Sequence, residues 1–242
     1  MIQAGDNILI VAAHPDDEVL GCGGTISRAV KKYQSEITVN ALILSEGLMG
    51  RSSEDVHFGQ EDLDAFYIDA VNAGKIIGIQ HSYFERLPNN RLDSMDLLDV
   101  IKIIEKYIAE IQPNVVLTHH NGDINIAHRI TYQAVLTACR PLGECPVSRM
   151  LSFEIPSSTE WAFPTYKSAF SPNVFFEIGD AVETKIKAME CYQTERRAFP
   201  HPRSPEVIRA IARRWGSVAN MDYAEAFELI YDRIVHSNSQ SS

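Results

Sequence analysis

Two short stretches of this 242-residue chain collect the side chains that bind metals and move protons. The first is His14-Pro15-Asp16-Asp17-Glu18, directly after the apolar stretch Ile8 to Ala13. The second is His119-His120, directly after Val115-Val116-Leu117-Thr118, with Asp123 and His128 close behind. Imidazole and carboxylate ligands that leave one position open are the recipe for a catalytic zinc site. If a helix opens at the first stretch, His14 and Asp17, three apart, approach a common side. Asp16 is then left free to act on a bound water. Each piece alone has a plainer reading. Pro-Asp-Asp-Glu suits a charge-matched helix N-terminus, and a His-His pair after a strand is commonly exposed or hydrogen-bonded. Two such clusters at adjacent strand ends favour a metal site. Crowded carboxylates also repel one another unless a cation lies between them.

The elements that must position these residues follow from hydrophobic pattern and capping. Ile8 to Ala13 is apolar throughout, as a strand buried on both faces is, and Val115 to Thr118 repeats the pattern. A helix is expected from the acidic stretch to about Tyr33, a strand over Ile37 to Leu44, and a helix over Glu61 to Ile77. Leu97, Ile101, Ile104, Ile108 and Ile111 recur at helical steps between a Ser94 cap and Pro113. Ile130 to Cys139 reads as helix. This alternation predicts an α/β fold: a Rossmann-like, mostly parallel sheet with helices on both faces. Such sheets bind ligands at the carboxyl ends of their strands, where both clusters fall. Beyond Pro141 come strand and helix additions: strands over Met150 to Ile155 and Asn173 to Ile178, and a helix over Ala181 to Tyr192. Another helix is capped by Ser204 with Pro205 at its first position. A last one, with Asp222 and Glu225 as reciprocal caps, is expected to end near Val235. Gly21 to Gly24 lies inside the first helix and suits close packing. No repeat or linker divides the chain, so one domain is expected, with a disordered polar tail at 236–242.

Ala13-His14-Pro15-Asp16-Asp17-Glu18, followed by Gly21-Cys22-Gly23-Gly24-Thr25, resembles the signature of the PIG-L/LmbE family of zinc-dependent de-N-acetylases. Asp123-Ile124-Asn125-Ile126-Ala127-His128-Arg129 resembles the family's second motif, and the likeness runs from about Asn7 to at least Leu142. Tyr192 to Ser204 resembles the C-terminal part of bacterial members associated with surface polysaccharide synthesis. The resemblance implies Zn2+, or another divalent transition metal such as Fe2+, held by His14, Asp17 and His128, with Asp16 as general base. Many members carry a His three residues before the last ligand, and Asn125 stands there instead. His120, or failing that His119, is the candidate to take over that role, with Asp123 suited to orienting an imidazole. Arg51 occupies a place where the family often puts a substrate-contacting basic residue; Asp123 and Asn125 join it as substrate-side candidates. The implied reaction removes acetyl from an N-acetylated sugar, a sugar nucleotide or glycan precursor of a bacterial surface polysaccharide, releasing acetate and a free amine.

Composition sets the outer limits. The net charge of −10 argues against a nucleic-acid binder and against a polybasic membrane anchor. The first apolar run is too short for a signal or membrane segment. Cys22, Cys139, Cys145 and Cys191 form no C-x-x-C pair, which suits idle thiols in a cytoplasmic enzyme. A homo-oligomer is compatible with these features. The nearest rival function is an amidase acting on thiol conjugates. A rival of another class is a non-hydrolytic nucleotide- or sugar-binding module, against which stands the lack of any G-x-G-x-x-G or G-x-x-x-x-G-K-[ST]. A serine hydrolase would need G-x-S-x-G, which is missing too. A purely structural or partner-binding protein would bind no metal.

Overall fold

The computed structural model describes residues 2–47, 59–88, 91–163 and 168–234. Arg51 and the expected tail at 236–242 lie outside these residues. The first strand, β1 (Asn7–Ala12), is central, pairing in parallel with β2 (Thr38–Ser45) on one side and β4 (Val115–His119) on the other. Alternation along β1 serves two cores. Ile8, Ile10 and Ala12 face one, beneath α1 (Asp17–Tyr33) and α2 (Gln60–Ile77). Leu9 and Val11 face the other, beneath α3 (Leu97–Ile111) and α4 (Ile126–Ala138). All five are fully buried, each worth about 1.5–3 kcal/mol where the side chain is a Val, Leu or Ile. Double burial is why the run carries no polar residue.

The sheet has the order β3-β2-β1-β4-β5-β7-β6. β3 (His81–Leu87) and β5 (Arg149–Phe153) complete the parallel part; β7 (Ala224–Asp232) is reversed and pairs antiparallel with both β5 and the edge strand β6 (Val174–Glu177). Strand order reverses between β1 and β4, and ligands of such sheets sit outside the carboxyl ends at that point. Two more helices, α5 (Ala181–Met189) and α6 (Pro205–Val218), pack on the α1 side. Among the described residues, no helix is long and apolar enough to cross a membrane.

Several local expectations change. Ala224–Asp232 is a strand, not the last helix. Its Ala, Glu and Leu favour helix, but pairing on both edges with β5 and β6 overrides that preference. Glu225 caps no helix of its own. It accepts from the Gly24 and Thr25 amides (3.0 and 2.7 Å) and pairs with buried Lys185. The edge strand β3, half-buried and paired only with β2, carries no alternating signal and is not expected from sequence. Asp96, not Ser94, stands at the start of α3, while Ser94 donates to the Arg91 carbonyl. α4 begins at Ile126, four residues early, because Asn125 accepts from the Ala127 amide at 2.9 Å. α5 stops at Met189 instead of Tyr192. The Ser204 cap forms, accepting from the Val207 amide. Gly21 has its packing role: a Cβ there would stand 2.3 Å from a Phe153 ring carbon, so α1 reaches β5 only with glycine at the contact.

Candidate metal centre and active site

The loop after β1 is held in place before its side chains come into play. The Ala13 carbonyl accepts from both the amide and the hydroxyl of Ser45 at the end of β2 (2.9 and 2.6 Å). Three residues on, Asp16 takes φ 101°, a left-handed conformation that Asp tolerates better than most residues. Its carbonyl receives the Val19 and Leu20 amides and so starts α1. This sharp entry turns Asp17, the first residue of α1, back toward His14, whose amide donates to Asp17 Oδ2 at 2.9 Å. His14 Nδ1 lies 3.2 Å from the same oxygen, and His128 Nε2, from the first turn of α4, lies 3.3 Å from it. The two ring nitrogens are 3.3 Å apart.

One ligand atom from each of His14, Asp17 and His128 therefore lies within 4.8 Å of the others, all three residues being buried. Asp17 Oδ1 and His14 Nε2 are buried without a hydrogen-bond partner. Orphaned polar atoms are costly. Beside two imidazoles and one anionic oxygen they fit a cation, as in His₂-carboxylate sites of zinc or ferrous iron. Burial favours the neutral acid of Asp17, yet the imidazoles around it, His128 foremost, hold it well below the usual carboxylate range. Likewise burial disfavours charge on His128, but the carboxylates of Asp17 and Asp123 lift it to about 10.

Behind His128 stands a second layer. Asp123, fully buried, lies 3.1 Å from His128 Nδ1, which leaves Nε2 facing the cluster. The carboxylate is itself fixed by the Asn125 amide (2.7 Å), by Thr159 Oγ1 (2.8 Å) and by Ser158 Oγ. Against the effect of burial, the charge of His128 and these hydrogen bonds hold Asp123 down at about 2. A carboxylate that orients a ligating imidazole in this way is a regular feature of metal sites. His119 lies beneath, its ring stacked on His128 at 4.0 Å between centroids. Its Nε2 accepts from the Ala13 amide at 2.8 Å, so the imidazole is neutral, and burial with neighbouring His128 pushes it down to about 3.

Asp16 points to a different set of partners. Its Oδ2 accepts from Arg203 Nη1, which also donates to Glu195 Oε2 at 3.0 Å, while Arg203 Nε donates to Ser157 Oγ at 2.8 Å. The Asp16 amide donates to Glu18, whose other oxygen accepts from Tyr192 Oη. Burial, reinforced by the charges of Asp16 and Asp17, raises Glu18 to about 8 in spite of the Tyr192 bond. The stretch from Tyr192 to Ser204 is thus a strap tied to the start of α1 at both ends. From sequence this segment is a candidate to cover the pocket or reach a neighbouring subunit, with Arg203 a candidate phosphate contact; its pairing with Asp16 is not expected. The Arg203–Asp16 contact spans 187 positions and leaves no local signal.

Three further expected residues, Asn125, Asp123 and His120, have partners other than substrate in the structure. Arg51 is outside the described residues. Asn125 caps α4, and Asp123 is enclosed behind His128. His120 Nδ1 meets Glu228 at 2.7 Å and Nε2 meets the Ser168 carbonyl at 2.9 Å. Both nitrogens are engaged, and neither bond is to His14, Asp17 or His128. Arg129 donates to the Asp123 and Ile124 carbonyls and so braces the loop.

Comparison with known proteins gives this arrangement a lineage. A family profile described as PIG-L, GlcNAc-PI de-N-acetylase, matches residues 9–139. The chain is 26% identical over 193 residues to the uncharacterized deacetylase YaiS of Escherichia coli K12, covering 77% of this chain and 90% of that protein. It is 25% identical over 237 residues to the diacetylchitobiose deacetylase of Thermococcus kodakarensis, covering 95% and 85%. Among solved structures, GalB, the 4-carboxy-2-hydroxymuconate hydratase of Pseudomonas putida, superposes with a TM-score of 0.72 at 20% identity, covering 96% and 98%.

Proposed function

The chain belongs to the PIG-L family of GlcNAc-PI de-N-acetylases, and from that premise we propose that it is a metal-dependent hydrolase removing acetyl from N-acetylated sugars. The observation that carries this reading is the buried His14–Asp17–His128 cluster with Asp16 beside it at the strand ends. His14, Asp17 and His128 would hold the metal, zinc in the first instance. When bound, such a metal supplies Lewis-acid polarisation of a carbonyl and makes water more acidic. Asp16 takes the proton of the attacking water as the C–O bond forms. It returns that proton to nitrogen as the C–N bond breaks, so acetate and a free amine leave. Asp123 keeps His128 in the ligating tautomer, and His119 supports its ring from below.

For the substrate, the T. kodakarensis relative is named for a disaccharide of acetylated amino sugars. The strap's resemblance to polysaccharide-associated bacterial members favours a sugar nucleotide or glycan precursor of a surface polysaccharide. Arg51, six residues after Ser45 in the sequence, is our candidate contact for the phosphate or hydroxyls of such a substrate, and we place the enzyme in the cytoplasm. The test is acetate release from a panel of N-acetylglucosamine, diacetylchitobiose and nucleotide-linked N-acetyl sugars. Release from at least one is expected; none from any, with zinc-loaded protein, contradicts the reading.

A further inference from the structure

We propose that Arg203 is the positioning residue for Asp16: it aims the carboxylate at the reacting water, with Glu195 as its buttress. The proposal rests on the deacetylase reading above and adds to it a residue outside the metal cluster. A single guanidinium nitrogen, Nη1, spans two carboxylates, Asp16 Oδ2 and Glu195 Oε2, whose side chains are 3% and 1% exposed. Two acids this deeply buried need a cation between them, and Arg supplies it on a planar, pre-shaped fork that a flexible ammonium lacks. Nε on the same plane donates to Ser157 Oγ, so the plane is fixed at a second point.

The supports of this clamp are rigid. Arg203 immediately precedes Ser204, the cap of α6, and its amide donates to His201 Nδ1. Glu195 closes a short 3-10 turn whose amide returns to the Tyr192 carbonyl, and Tyr192 is itself bonded to Glu18 of α1. Asp16 is held by its left-handed backbone on one side and the clamp on the other. A simple surface ion pair would need none of these supports and would be worth little. A general base is effective only when held within reach of its proton.

The test uses metal-loaded Arg203→Ala, Arg203→Lys and Glu195→Gln proteins on whichever N-acetyl sugar the wild type deacetylates. Arg203→Ala is expected to keep its metal, shown by elemental analysis, and to lose about 10- to 100-fold in kcat, the usual effect of misplacing a reacting group. KM should move by less than about threefold, since the loss is in the chemical step. A cavity of about 300 Å³ borders Arg203 and Glu195. Guanidinium ion at low, non-denaturing concentration should therefore enter the truncated site and restore part of kcat. Arg203→Lys should fall between Ala and wild type. Glu195→Gln, which alters no bulk, should lower kcat by several-fold and carries the test if Arg203→Ala does not fold. In nitrogen-labelled wild type, a slowly exchanging guanidinium signal should be present, and Asp16→Asn should shift it while the Glu195 and Ser157 bonds remain. Unchanged kcat in all three variants overturns the proposal while leaving the deacetylase reading intact. A loss confined to KM would make Arg203 a substrate contact, and loss of metal would make it a support of the ligand loop; either overturns it. Wild-type protein that deacetylates nothing overturns both.

Discussion

Asp16 and Asp17 are the same amino acid on the same turn, yet their surroundings differ, and the proposed function gives them different work. Asp17 faces three imidazoles and has an orphaned oxygen; Asp16 faces a guanidinium. Asp17→Asn removes the anionic member of a three-ligand set and should weaken metal binding. Asp16→Asn should keep the metal and lose on the order of 10²–10⁴ in kcat, the usual contribution of a general base. Isothermal metal titration alongside steady-state kinetics separates the two outcomes. Metal lost in Asp16→Asn and retained in Asp17→Asn would mean the roles are exchanged. The residues of this motif are legible in sequence because they lie on one turn, where spacing alone sets geometry. The link from Asp16 to Arg203 and Glu195 is not, because the strap meets α1 only through the folded chain.

At the scale of elements, the same contrast holds. β1, β2 and β4 are readable because burial on both faces removes every polar residue but a few. β7 is hidden because its composition is helical and its strand state comes from its neighbours β5 and β6. One tie between these elements is His120 at the end of β4, bonded to Glu228 of β7. Burial lowers the His120 pKa, but the Glu228 and Ser168 hydrogen bonds outweigh it and leave the group above its ordinary value. Burial raises the Glu228 pKa, but His120 and the Ser171 amide hold it lower. The sign follows from linkage. The stabilisation tied to the His120 charge is fully present below its unfolded pKa of about 6.5 and is lost as pH rises through the folded value. That tied to Glu228 is present above its unfolded pKa and lost as pH falls through the folded one. His120→Gln should therefore cost about 1–3 kcal/mol near pH 6 and distinctly less at pH 9, read as the gap in Tm from wild type. An equal gap at both values would show that the imidazolium is not what joins β4 to β7. Metal content should be unaffected, since neither ring nitrogen bonds to a ligand of the cluster.

On the scale of the whole molecule, the fold alone does not decide the reaction. A hydratase superposes on this chain with a TM-score of 0.72, so function must be argued from the site. The proposed reading rests on the His14–Asp17–His128 cluster where strand order reverses, and on the Asp16 carboxylate beside it. The net charge of −10 adds nothing to that choice beyond disfavouring polyanionic partners. The most direct measurement is acetate release from an N-acetyl sugar by protein stripped with a strong chelator, then titrated with zinc. The account predicts no release from stripped protein and recovery that levels off near one zinc per chain, in parallel with metal content. Full release from protein that elemental analysis shows to be metal-free would contradict it.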